Sequence, residues 1–516
     1  MVCKMKKLSK STKILIYSVI GLAALIAVVL ILMLTHTPEQ PDSDNGLDEP
    51  LEVDDSRLIL SNLAPEDVVS ISVKNQLDEY VIEHFYYNGE SVFDITELLG
   101  APRDFTKLNN AGRYASGLSA RQIVSENETD FAKYGLAEDS EGLARMTAVF
   151  TNGEILDIYI GDETPTSEPM TYIRKAGGDD EDTIYIVWSY FVNQFKEDRR
   201  FYVSLILTDD YFESGSPSIE RLEIEHKVTG HYVIEKVPVL GDETDAVTSL
   251  NLYRLTEPME LYLDFGLSES VVYGMFGLIA KEVACVGPAE DMPGNEITGF
   301  DEPYVFVEMT ADGEKTTLTV GNAIWEPFYD NDGNVAGEVV KGYYVAYSEI
   351  PEVLYIFEPY AFALPFLDID IEQIMARMFH LPYIYSVEEF IVETNEHTLS
   401  FTLTGSSNAE EEFFLDGEKI DAQSFKNLYQ FCIGARAESL FEGDSVEGME
   451  FLARFTYKYR NEARTVDVIE FYDSGDRRLI ITKNDVPMFV GRLMFITRLE
   501  QNIEAFFSDE PLIMAW

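Results

Sequence analysis

The chain has 516 residues, with 38 Lys and Arg against 92 Asp and Glu and a net charge of −54. Its 46% apolar and 12% aromatic content excludes a wholly disordered polypeptide. So acidic a chain excludes a nucleic-acid binder, which needs a basic surface, and three cysteines exclude a disulfide-stapled scaffold.

Residues 1–13 form a basic tail with Lys4, Lys6, Lys7, Lys10 and Lys13 and no acid. The run ILIYSVIGLAALIAVVLILML, Ile14 to Leu34, carries no charge. At 1.5 Å per residue, about 20 apolar residues cross a hydrocarbon core of ~30 Å. Residues 14–34 are therefore predicted to be a transmembrane helix whose backbone amides are satisfied internally. The preceding lysines put the N-terminus in the cytoplasm and the bulk of the chain outside the cell membrane. The alternative is a cleaved signal peptide, but the run exceeds the usual h-region and no A-x-A-like site follows it. Residues 35–56 contain Pro38, Pro41 and Pro50, many acids and no Lys or Arg, and are expected to be a disordered, self-repelling stalk.

Beyond the stalk the sequence repeats. Thr147 to Asp162 reads TAVFTNGEILDIYIGD, and Val305 to Asn322 reads VFVEMTADGEKTTLTVGN. Gly153 and Gly313 suit tight hairpin turns, and Gly161 and Gly321 follow eight residues later. An eroded third copy is placed at 468–490, with Asp473-Ser474-Gly475 as its turn and Lys483 at the second glycine. Each unit is preceded by an alternating hairpin pattern, near 69–85, 218–237 and 386–405. Helical stretches are expected at 113–127, 270–284 and 424–440. These elements predict an α+β fold: tandem modules of antiparallel sheet plus helix behind one N-terminal transmembrane helix. The modules span 57–215, 216–383 and, in divergent form, 384–516.

The run Lys133-Tyr134-Gly135-Leu136, followed by NGEILDIYIGDET, a Tyr strand and DTIYIV, resembles the bacterial domain of unknown function 4340 family. The second copy has Thr298-Gly299-Phe300 at the Tyr-Gly-Leu position. This resemblance implies a membrane-anchored protein of tandem units. It also implies an auxiliary role beside the permease and ATPase of an ABC transport system similar to those of gliding motility. No catalytic residues come with the pattern.

Nucleotide-binding, zincin and serine-hydrolase motifs are missing from the sequence. His226 and His231 flank a turn, but their odd offset gives no shared strand face and no metal site is assigned. Asp330-Asn331-Asp332-Gly333-Asn334 has its glycine at the wrong place for an EF-hand and is read as an insertion loop. Cys285 and Cys432 are read as thiols at comparable helices. No catalytic, cofactor-binding or metal residue is predicted. The expected function is a non-enzymatic accessory component of an ABC-type transporter. The alternatives are a stand-alone surface binding or adhesion protein, and a hydrolase using His380 or His397 in the third module.

Overall fold

The structure, a computed structural model, describes residues 55–237, 252–330, 333–405, 410–460, 463–508 and 510–515. The basic tail, the span 14–34 and the stalk to residue 54 lie outside them. No helix among the described residues is long and apolar enough to cross a membrane.

Three antiparallel sheets follow one another. The first contains β1 (Val68–Lys74), β2 (Glu79–Tyr87), β3 (Glu90–Asp94), β4 (Gln122–Ser125), β5 (Ala144–Phe150), β6 (Ile155–Glu163), β7 (Met170–Lys175) and β8 (Ile184–Trp188). Its spatial order is β3-β2-β1-β5-β6-β7-β8-β4. The second contains β9 (Ile219–His226), β10 (Gly230–Lys236), β11 (Tyr253–Glu257), β12 (Leu261–Tyr262), β13 (Glu282–Val286), β14 (Val305–Ala311), β15 (Glu314–Tyr329), β16 (Val335–Tyr347) and β17 (Val353–Phe357). The third contains β18 (Val387–Thr394), β19 (Thr398–Thr404), β20 (Glu412–Leu415), β21 (Glu418–Lys419), β22 (Ser439–Leu440), β23 (Glu450–Tyr459), β24 (Val466–Gly475), β25 (Arg478–Lys483) and β26 (Val486–Arg492). Apart from the added two-residue edges β12 and β21, all three sheets have the same order.

The first strand of each sheet shows why. Val68, Ile71 and Val73 are buried in β1; Ile219, Leu222 and Ile224 in β9; Val387, Phe390 and Val392 in β18. The shared spacing of three then two residues comes from a bulge at the start of each strand, after which strict alternation buries one face. Facing strands supply the matching row, such as Ala144, Met146, Ala148 and Phe150 in β5.

Between the third and fourth strands each module carries a helix: Phe105–Ser116, Phe265–Val272 and Ala422–Ile433. The helical stretches expected at 113–127, 270–284 and 424–440 are thus corrected: each begins too late and runs into the edge strand. An aspartate caps the start of each of these three helices. Asp104 accepts from Lys107 N–H, Asp264 from Gly266 and Leu267 N–H, and Asp421 from Ser424 N–H. The chain then leaves the helix near Gly117, Gly274 or Gly434, turns, and adds β4, β13 or β22 to the far edge of the sheet.

Successive modules are sewn together by their linkers. Asp104 N–H donates to Tyr202 O and Ser204 N–H to Pro102 O, and Ala280 N–H then donates to Leu205 O. The next linker repeats this: Asp264 N–H donates to Ile374 O, Ala376 N–H to Tyr262 O, and Ala437 N–H to Arg377 O. Each strap bonds the helix start of one module and the helix-to-edge loop of the next. Residues 205–209, assigned by sequence to the first module, therefore pair with the second.

The third module packs mostly on aromatics. Phe390 is fully buried, its ring 4.8 Å from Tyr457 and 5.2 Å from Tyr429. Phe390→Ala is expected to destabilise this module by about 3–5 kcal/mol, read as a lower denaturation midpoint by near-ultraviolet circular dichroism.

Candidate functional site

The signature glycines play two different parts. Gly153 and Gly313 have φ of +86° and +81° with open space around them, as hairpin turns require. Gly161 and Gly321 lie within β6 and β15 instead, at contacts between backbones. A Cβ on Gly161 would sit 2.3 Å from Tyr134 O, and one on Gly321 would sit 1.9 Å from Thr298 O. The opposing turns contain Gly135 and Gly299, at φ of +66° and +74°. Tyr134-Gly135-Leu136 and Thr298-Gly299-Phe300 are thus the same part, a left-handed turn pressed onto a strand glycine.

In the first module the joint is reinforced. Tyr134 packs 5.0 Å from Tyr172, its hydroxyl donates to Glu128 at 3.2 Å, and Leu136 is fully buried. The Lys196 ammonium donates to Gly161 O; burial lowers its pKa, and Asp162 and Glu163 oppose that shift.

The structure corrects the third copy, which the sequence pattern puts one strand out of register. Asp473-Ser474-Gly475 lies at the β24–β25 turn, whereas Gly153 and Gly313 belong to the hairpins β5–β6 and β14–β15. Cross-strand partners align Val73, Met146 and Ile158 with Ile224, Val307 and Leu318, and with Val392, Phe455 and Ile469. Three residues on stand Gly161, Gly321 and Tyr472. A tyrosine replaces the joint glycine, and Lys483 does not correspond to it.

The titratable candidates are dispersed. His226 is buried, and its Nδ1 accepts from Val228 and Thr229 N–H. His231 meets Glu223 at 2.9 Å and Glu257 at 3.3 Å, so the two histidines do not converge. His380 is buried against Tyr457; burial and Lys483 push it down to about 3, with Asp467 opposing. A ring so enclosed cannot reach a substrate. Asp330 and Asn334 close the tip of the β15–β16 hairpin, Asn334 N–H donating to Asp330 Oδ1 at 2.9 Å. Cys432 is buried in a helix and burial pushes its thiol pKa up, but Cys285 lies on β13, so the two do not occupy comparable positions. Cys3 lies outside the described residues.

One grouping was not visible in the sequence. Glu396, His397 and Glu500 bring their donor atoms within 4.8 Å of one another, from the β18–β19 turn and the helix Met494–Ser508. About 100 residues separate the first two from the third, so no local motif marks them. They offer three donors, one fewer than a closed tetrahedral metal site.

The β15–β16 hairpin is a second feature, of which the sequence marks only the tip, the insertion loop at Asp330 and Asn334. Beyond Val320 and before Tyr343 its strands pair, among the described residues, only with each other. Trp325 is 58% exposed, Tyr329 60% and Val335 63% on this arm.

The joint glycines make a direct test. Gly161→Ala and Gly321→Ala are each expected to destabilise their module by about 1–3 kcal/mol through backbone overpacking, measured by chemical denaturation. Tyr472→Phe, at the matching position without a joint, is expected to cost less.

Comparison with curated proteins and with solved structures gave no significant match. A family model does match, and it covers the Tyr134-Gly135-Leu136 turn, its partner Gly161 and the first hairpin of the second sheet. Residues 94–240 match the model of the family described as Domain of unknown function (DUF4340).

Proposed function

We propose that this protein is a non-enzymatic, membrane-anchored extracytoplasmic component of an ABC-type transport system, with its modules serving as a scaffold that holds a partner. The observation that carries a binding role is the two-stranded arm of the second module. It holds Trp325, Phe328, Tyr329, Val335 and Val339 exposed, beyond the reach of any third strand. Aromatic side chains on a projecting element are characteristic of protein interfaces, and leaving them in water is unfavourable unless a partner covers them. The uncharged run 14–34 and the family resemblance supply the membrane and transporter parts of the reading.

The occupant proposed for this arm is the outer surface of the permease, to which a membrane tether would hold it close. After cross-linking in mild detergent, the full chain is expected to recover a permease and its ATPase. The double variant Trp325→Ala, Phe328→Ala should reduce that recovery roughly tenfold, as truncation of aromatic anchors does. If no permease or ATPase is recovered, the transport role fails. The second reading, a stand-alone surface binding protein, is supported by the threefold repetition of one sheet, since tandem weak sites gain avidity. Under that reading the full chain would bind an envelope component in cells lacking the transporter.

A further inference from the structure

The three modules share one topology, so equivalent positions can be compared, and at one place the third departs from the other two. Ala120, Ala280 and Ala437 each donate an N–H to the strap, at Leu58, Leu205 and Arg377. Two residues before these alanines stand Leu118, Leu278 and Ala435. The two leucines are core residues, 1% and 2% exposed. In the third module alanine takes the leucine's place, and a cavity of about 310 Å3 opens beside it.

The cavity walls include Phe471, Leu479, Ile481 and Phe495, all apolar. Its rim is basic. Arg377 stands where the other straps have Leu58 and Leu205, and Arg436 where the other loops have Ser119 and Ile279. Arg492 lies two residues past Val490, whose carbonyl accepts from Glu438 N–H; the matching pairs are Ile186 with Trp188 and Ile356 with Glu358. All three arginines are therefore peculiar to this module, in a chain with 92 acids.

Their partners leave charge unspent. Arg492 pairs with Glu438, while Arg377 donates to the backbone carbonyls of Glu438 and Glu372. Arg436 has no ion pair or hydrogen bond among the described residues, although the surface is crowded with carboxylates. Two guanidinium groups without a carboxylate partner therefore border an apolar cavity at the junction of the second and third modules. A second hollow, of about 300 Å3, adjoins it and shares Arg377 and Arg436.

We propose that this cavity binds an organic monoanion, a carboxylate on a compact apolar body. The guanidinium fork matches the two oxygens of a carboxylate. The phenylalanines and aliphatic side chains would take the apolar body out of water, and the volume is at the small end of ligand pockets. The inference does not depend on the transporter reading, since it rests on the third module and the strap that enters it.

The test uses the purified full chain and two probes that differ only in charge, 3-phenylpropionate and its neutral amide, followed by ligand-observed NMR titration. The carboxylate should saturate below about 10 mM, with the amide at least about tenfold weaker. Arg436→Ala should weaken the carboxylate about tenfold, while Arg464→Ala, at a residue that pairs with Glu388 and does not line the cavity, should leave it unchanged. Ala435→Leu restores the residue type of the other two modules and should abolish binding while the chain keeps its circular dichroism spectrum and melting temperature. No saturation by the carboxylate, equal binding of the amide, or undiminished binding in Arg436→Ala or folded Ala435→Leu would each overturn the proposal. Inorganic phosphate competing as well as 3-phenylpropionate would also overturn it, because the apolar walls would then play no part.

Discussion

Each linker in this protein is bonded twice through its backbone, first to the helix start of the module it leaves and then to the helix-to-edge loop of the module it enters. Tyr202, Val203 and Leu207 are buried in the first strap, and Ile374 and Met375 in the second. Apolar burial and backbone hydrogen bonds therefore act on the same short segments, and a buried amide left unpaired there would cost more than the bond contributes. The position of one helix cap and the next module's edge strand are thus set by the same residues. The module-specific cavity depends on this strap, because Arg377 is its last bonded residue.

Within that frame the modules diverge where the shared topology tolerates change. The strand glycine of the first two modules lets a left-handed turn approach to backbone contact. The third module puts Tyr472 there, and its nearest preceding turn glycine, Gly448, has open space around it. The second module lengthens one hairpin into an arm, and the third exchanges a core leucine for alanine and surrounds the space with arginines. These changes fall at single strand positions, loops and a hairpin tip, while the strand order is untouched. A sheet keeps its order because a slipped register would turn every apolar side chain outward, whereas edges and tips are free of that penalty.

Much of the architecture was legible in the pattern of residues. Alternation marked the paired strands, and Asn152-Gly153 and Asp312-Gly313 marked their turns, since both effects act over a few residues. Apolar spacing continues from helix into edge strand and so does not mark the helix boundaries; the aspartate caps Asp104, Asp264 and Asp421 are the stronger signal. Asp-Ser-Gly forms a good turn in any hairpin and so does not fix the register of the third repeat; only the pairing partners identify which hairpin it closes.

The amino-acid sequence by itself determined the acidic character, the single uncharged run near the start, the α+β class and the existence of repetition. All of these follow from composition or from contacts between near neighbours. Only the tertiary structure decided which residues of different modules are equivalent, that Glu396 and His397 meet Glu500, and that three arginines distant in the chain border one apolar cavity. Those relations are set by strand pairing and by the doubly bonded straps, which join residues whose separation along the chain carries no local energetic trace.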